Sequence, residues 1–129
     1  MSTEIFWLIL TIGMTGLFWI PYIIDRFATR GIMGTLGYPG PGKPPQSDWA
    51  ERMKLAHTNA VENLIIFAPL VLIAQALNVH TSATAAACIV FFWARLAHFV
   101  VYALRVPVVR TLSFLIGWAA QVVLFLAIV

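Results

Sequence analysis

Apolar residues run along this chain in four long blocks separated by polar breaks. Residues 5–24 form a run of 20 without a charge. At 1.5 Å per residue, a helix of that length crosses a hydrocarbon core of about 30 Å. The second block, 55–77, is interrupted only by Glu62, and the third, 83–104, only by Arg95. The fourth, 111–129, has Gln121 as its most polar group. A cleaved signal peptide does not account for the first block, because no basic segment precedes it and no Ala-x-Ala site follows. The pattern predicts an all-α integral membrane protein, a four-transmembrane-helix bundle in a single domain over 1–129. Its helices are expected at about 5–24, 49–77, 83–104 and 111–129.

The break at 25–48 is rich in Gly and Pro and reads as a loop. Asp48 and Glu51 stand at capping-box spacing, which starts the second helix at Trp49. From there to Leu77 it is about 43 Å long, so its first turns stand outside the hydrocarbon. Trp7, Trp19 and Tyr22 sit near the ends of the first helix, where interfacial anchors belong. Pro21 is expected to kink that helix near its exit.

Composition agrees with this reading. Hydrophobic residues make up 61% and charged residues 10%, against about 45–50% and 25% in soluble domains. A mean hydropathy of +0.90 excludes a water-soluble globule and a disordered chain. A single Cys, Cys88, excludes an internal disulfide and a Cys-rich metal site. It reads as a small apolar residue toward the outer end of the third helix.

The charges give an orientation. Seven of the eight Lys and Arg fall in 25–54 or 105–110, which four crossings place on one side. The other side carries Glu4, the 78–82 turn with a solvated His80, and the C-terminus. The positive-inside rule puts the loops 25–54 and 105–110 in the cytoplasm and both termini outside.

The candidate chemistry lies in polar residues buried in apolar blocks. Arg52, Asn59 and Glu62 share a face of the second helix, with His57 and Asn63 flanking. Arg95, His98, Tyr102 and Arg105 form a stripe along the third. Arg95 lies about 15 Å inside its end. A lone charge at that depth is disfavoured by about 2.5–3.5 kcal/mol, so Glu62 and Arg95 are expected to pair. The same residues, with Arg110, supply more hydrogen-bonding groups than one ion pair needs. They suggest a polar, cationic cavity for a small anion held by guanidinium forks. Glu62 and Asn59 would suit an ammonium or amide on the same ligand. A metal site would need His57, His98 and Glu62 to converge across helices, and none is expected.

The stretch Glu51-Arg52-Met53-Lys54-Leu55-Ala56-His57-Thr58-Asn59-Ala60-Val61-Glu62-Asn63 resembles a signature of the MAPEG family, the membrane-associated proteins in eicosanoid and glutathione metabolism. Ala94-Arg95-Leu96-Ala97-His98 to Tyr102, then Arg110-Thr111-Leu112-Ser113-Phe114 and Gly117-Trp118, resemble its second motif. Within that family the chain resembles the microsomal glutathione transferase branch and its bacterial relatives. The resemblance implies a homotrimer of four-helix bundles in the lipid bilayer. Glutathione, as co-substrate, would lie between subunits near the cytoplasmic side. It implies contacts from His57, Asn59, Glu62, Arg95 and Tyr102, with Arg52 and His98 beside them. Arg110 falls near the Arg that holds the thiolate. An Arg near the cytoplasmic end of the first helix, Arg26 or Arg30, would join them.

The implied activity is transfer of glutathione to hydrophobic electrophiles, or reduction of hydroperoxides, by thiolate activation. No nucleic-acid partner is expected. Two positions depart from the family pattern. Leu55 replaces a signature Arg, and the neighbouring Lys54 is rotated by about 100° from it. His98 stands where the eicosanoid-making members carry Tyr. Two other readings compete. One is a non-catalytic relative binding a lipid or small anion in the same cavity. The other is a small multidrug transporter, disfavoured because the first span carries no embedded Glu.

Overall fold

The helices form where the apolar blocks predict them, but they extend further into the polar breaks. The structure, a computed structural model, describes all residues 1–129. It contains α1 (Thr3–Leu17), α2 (Trp19–Leu36), α3 (Asp48–Ala76), α4 (Ser82–Ala103) and α5 (Pro107–Ile128). α1 and α2 are one apolar crossing interrupted at Phe18, so four helical units are long and apolar enough to span a membrane. The interruption has a local cause. Pro21 has no N–H to give the carbonyl of Leu17, so the helical ladder loses a rung there.

Three boundaries differ from the sequence expectation. Helix continues through the charged residues after Ile24 as far as Gly31, where it kinks, and one further turn runs to Leu36, so only the latter part of 25–48 is loop. Asp25 explains the continuation. Its carboxylate accepts from the Ser47 amide (3.0 Å) and the Ser47 hydroxyl, and Gln46 Nε2 donates to the Tyr22 carbonyl (2.7 Å). These bonds hold the returning chain against α2. They also engage the Ser47 hydroxyl, so Ser47 rather than Asp48 is the N-cap of α3, without a side-chain cap bond. The fourth crossing begins at Pro107, a favoured first helical residue. Arg110 therefore lies in the first turn of α5, not in the loop.

α1/α2, α3, α4 and α5 run alternately up and down, so the termini share one end and the basic segments the other. The interior is narrow. In the termini half, Phe67 of α3 stacks on Phe91 of α4 at 3.8 Å, with Leu8, Val71, Cys88 and Leu124 around them. In the basic half, Phe18 stacks on Phe99 at 3.8 Å, over Ala56 and Ala60. Alanines on α3 and α4 let the backbones approach, as is usual where lipid replaces water outside. Only 28 of 129 residues are buried. The large hydrophobic side chains left outside, such as Ile65, Ile66, Leu115 and Phe125, match lipid rather than water.

Candidate functional site

The basic end of the bundle gathers cations around one corner. α4 ends at Ala103, and the chain turns into α5 through Arg105, whose φ of 62° is left-handed. That turn sets Arg105 beside Arg110 and the last turn of α4. Arg52 reaches across from α3, its Nε donating to the Ala103 carbonyl at 3.0 Å. The result is a cavity of about 280 Å³ lined by Arg52, Tyr102, Arg105, Val106, Pro107 and Arg110. Three guanidiniums and a phenol face it, and no carboxylate does. The Arg110 guanidinium lies over the Tyr102 ring, 5.1 Å from its centre. This cation–π contact holds the charge at the wall without using its N–H donors. The arrangement suits an anion with planar oxygen pairs.

Behind Tyr102 the polar stripe continues inward. The His98 ring packs edge-on to Tyr102 with centres 5.6 Å apart. Its Nδ1 accepts from Arg95 Nη2 at 3.3 Å, which places the imidazole proton on Nε2. Arg95 is 2% exposed and is the largest fully buried side chain in the protein. Its Nη2 also donates to Asn59 Oδ1 on α3. Its Nε and Nη1 have no hydrogen-bond partner. Gly117 of α5 packs on this side, where a Cβ would meet Arg95 Cδ at an ordinary contact of 3.5 Å. Two unsatisfied donors on a buried cation are unusual, because each orphaned group is unfavourable by about 1–3 kcal/mol or more.

Of the residues singled out from the sequence, Arg52, Tyr102 and Arg110 meet at the cavity, while Asn59, Arg95 and His98 form the layer behind it. The structure does not bring His57 and Glu62 there. His57 Nδ1 is bonded to the Tyr22 hydroxyl at 2.8 Å and ties α3 to α2. The expected Glu62–Arg95 ion pair is absent within the chain, and Glu62 is exposed. The reason is angular. Asn63 marks the inward face of α3, and Glu62, one residue earlier, is rotated from it by about 100°. Neither Arg26 nor Arg30 joins the cavity. Arg26 Nε donates to Gln46 Oε1 (3.1 Å) and Arg30 Nε to the Pro44 carbonyl (2.8 Å). Arg105, read from the sequence as part of the cationic cavity but not among the implied glutathione contacts, lines it, and Val106 and Pro107 are lining residues not singled out. For Arg105, its place on the Arg95–His98–Tyr102 stripe was the available signal.

A model of the MAPEG family matches residues 5–129, essentially the whole chain. The chain belongs to the MAPEG family. Both motif segments read from the sequence lie inside the match, and they supply Arg52, Tyr102 and Arg110 of the cavity wall and the layer behind it. MAPEG proteins use glutathione, a tripeptide with two carboxylates and a thiol, and the cationic lining accords with such a ligand. No curated protein and no solved structure matches the chain significantly.

Proposed function

We propose that this MAPEG protein is a membrane-bound glutathione-dependent transferase or peroxidase. The observation that carries the reading is the all-cationic cavity of Arg52, Arg105 and Arg110 backed by Arg95, whose Nε and Nη1 lack partners. A free thiol has a pKa near 8.5, so only a few per cent is ionised at neutral pH, and a nearby guanidinium stabilises the thiolate. Arg110 is the residue assigned that role. The bound thiolate attacks the carbon of a hydrophobic electrophile, forming a C–S bond as the leaving group departs with its electron pair. With a hydroperoxide it attacks the distal oxygen, giving an alcohol and a sulfenic acid. A second glutathione reduces that acid to disulfide and water.

A cavity of about 280 Å³ falls just below the roughly 300–1,000 Å³ typical of small-molecule sites. In this reading one chain encloses part of the tripeptide. Assembly as a homotrimer, with the remainder of glutathione held by a neighbouring subunit and the exposed Glu62 available at that junction, completes the site in this reading. The basic end faces the cytoplasm, where glutathione enters, and the electrophile arrives through the bilayer.

Calorimetric titration of the detergent-purified protein with glutathione and its S-alkyl derivatives tests the reading. Saturable binding is expected, accompanied by thiolate absorbance with glutathione alone. A second reading, a non-catalytic binder of lipid or another small anion, is favoured by Leu55, which removes a cation from the signature. It predicts heat with an anionic lipid headgroup and none with glutathione at millimolar concentration.

A further inference from the structure

From the kink at Gly31 to the start of α3 the chain makes an ordered excursion with an apolar tip. Gly31 takes φ 69° and ψ 179°, a conformation that favours glycine, and turns the chain off the α2 axis. One short turn follows, closed by Thr35 Oγ1 donating to the Gly31 carbonyl (2.9 Å) and the Gly37 amide donating to the Met33 carbonyl (3.0 Å). Lys43 Nζ donates to the carbonyls of Gly34 (3.0 Å) and Tyr38. With Arg30 on Pro44 and Arg26 on Gln46, the excursion is tied to itself and to α2.

Such internal bonding normally accompanies a polar surface. Here Ile32, Met33, Leu36 and Tyr38 are 67–94% exposed and belong to neither core cluster. They do not face lipid tails as the crossings do. Gly31 stands about 10 Å past Ile24, where the uncharged run ends, and so at headgroup level. Four large apolar side chains within so few residues, ringed by Arg26, Arg30 and Lys43, have the make-up of an interfacial anchor.

We propose that residues 31–44 form a wedge that inserts Ile32, Met33, Leu36 and Tyr38 among the headgroups of an anionic membrane surface, with Arg26, Arg30 and Lys43 pairing lipid phosphates. Charge selects this occupant. Asp25 is bonded to Ser47 and Glu51 to Lys54 (3.1 Å), and the exposed Asp48 forms no ion pair with Arg26, Arg30 or Lys43, so these cations have N–H groups to offer. A second copy of the same tip would bring like charges together. Anionic lipid satisfies both the apolar tip and its basic rim.

The test places one nitroxide at a time on Met33→Cys, Leu36→Cys or Gly40→Cys in a Cys88→Ala background. The full-length protein is reconstituted in phosphatidylcholine vesicles with and without phosphatidylglycerol. Labels at 33 and 36 should collide with oxygen in preference to a water-soluble nickel chelate, and should shift deeper when phosphatidylglycerol is present. The label at 40 should favour nickel. Nickel access at 33 and 36 equal to that at 40 overturns the wedge. Shielding of 33 and 36 from both reagents also overturns it, in favour of a protein partner, and a depth indifferent to phosphatidylglycerol removes the anionic lipid. Glutathione titration of the same labelled protein is read separately, so neither result decides the other.

Discussion

Glu4 and Arg95, two charges buried in opposite halves of the bundle, are treated in opposite ways. At the termini end, Glu4 is 3% exposed. Its Oε1 accepts from the Thr84 hydroxyl and its Oε2 lies 3.3 Å from His80 Nδ1. Thr84 in turn accepts from the Thr81 amide (2.9 Å), and the Ser2 hydroxyl donates to Gln75 Oε1 at 2.8 Å. His80, expected to be solvated, is part of this knot. Glu4 also sits in the first turn of α1, where the helix dipole favours a negative charge. The knot is closed, and it clamps α1 to the start of α4. At the other end, Arg95 uses only one of its three nitrogens, and the cations in front of it surround open space. A buried charge whose hydrogen bonds are complete is doing structural work. In the proposed reading, one whose donors are incomplete, beside a cavity of its own sign, is left for a ligand or a neighbouring subunit.

The largest effect should come from the open end. Arg110→Ala removes the guanidinium assigned to the thiolate while leaving Tyr102 and the α5 helix in place. Loss of one electrostatic stabiliser of this kind lowers turnover by about 10²–10³-fold. Conjugation of a hydrophobic electrophile should fall by that factor, thiolate absorbance should disappear, and the thermal midpoint should hold. Unchanged thiolate would move the activating role to Arg105 or Arg52.

The comparison next predicts opposite stability changes for Glu4 and Arg95. Glu4→Ala leaves Thr84 and His80 without their acceptor, a loss of about 1.5–3 kcal/mol for charge-assisted bonds. The thermal midpoint should drop with little change in glutathione affinity. Arg95→Met replaces an under-satisfied cation by an apolar chain of similar length. Exchanges of that sort are often neutral or stabilising by about 1–4 kcal/mol. The midpoint should hold or rise while glutathione binding is lost. A destabilised Arg95→Met protein would show that Arg95 is held by groups of the assembly and belongs with Glu4 as structure.

Gly117→Ala probes the space beside Arg95. The added Cβ would meet Arg95 Cδ at 3.5 Å, Ala94 Cβ at 3.7 Å and Arg95 Nη1 at 3.9 Å, all ordinary contacts. Alanine is favoured over glycine inside a helix by about 0.5–1 kcal/mol. A modest rise in midpoint with unaltered binding is expected. A fall in affinity would mean that the Arg95 side chain must move when glutathione arrives.

The crossings were legible because apolar length is a direct physical requirement of the bilayer. Tyr102 was legible as a lining residue because the stripe on α4 points one way whatever its neighbours do, and Arg52 and Arg110 because each stands where a helix of the basic end begins. What the sequence hid was rotation and local bonding. Arg52, Asn59 and Glu62 share a face on a helical wheel, but the wheel does not say which edge of that face turns inward, and Glu62 fell outside. Residues 25–36 looked like loop because charge ended the hydropathy run. Asp25 carries helix through that charge by bonding Ser47, a partner 22 residues away. Arg26 and Arg30, expected near the ligand, are occupied by that same returning segment.

Leu55→Arg carries the smallest expected effect and separates the transferase reading from the anion binder. The position is one turn beyond Arg52 on α3, and Leu55 is 58% exposed. An arginine restored there would meet a glutathione carboxylate in a partly hydrated setting, where an ion pair contributes about 0.2–1 kcal/mol. That corresponds to at most about a fivefold gain in affinity. Calorimetry should show glutathione tightened within that range, with binding of S-alkyl derivatives tightened in parallel, because the carboxylates are common to both. A much larger gain would place position 55 in a desolvated junction between subunits. No gain, with the wild type already binding glutathione, would mean that Arg52, Arg105 and Arg110 have taken over the carboxylates and that Leu55 is a tolerated loss.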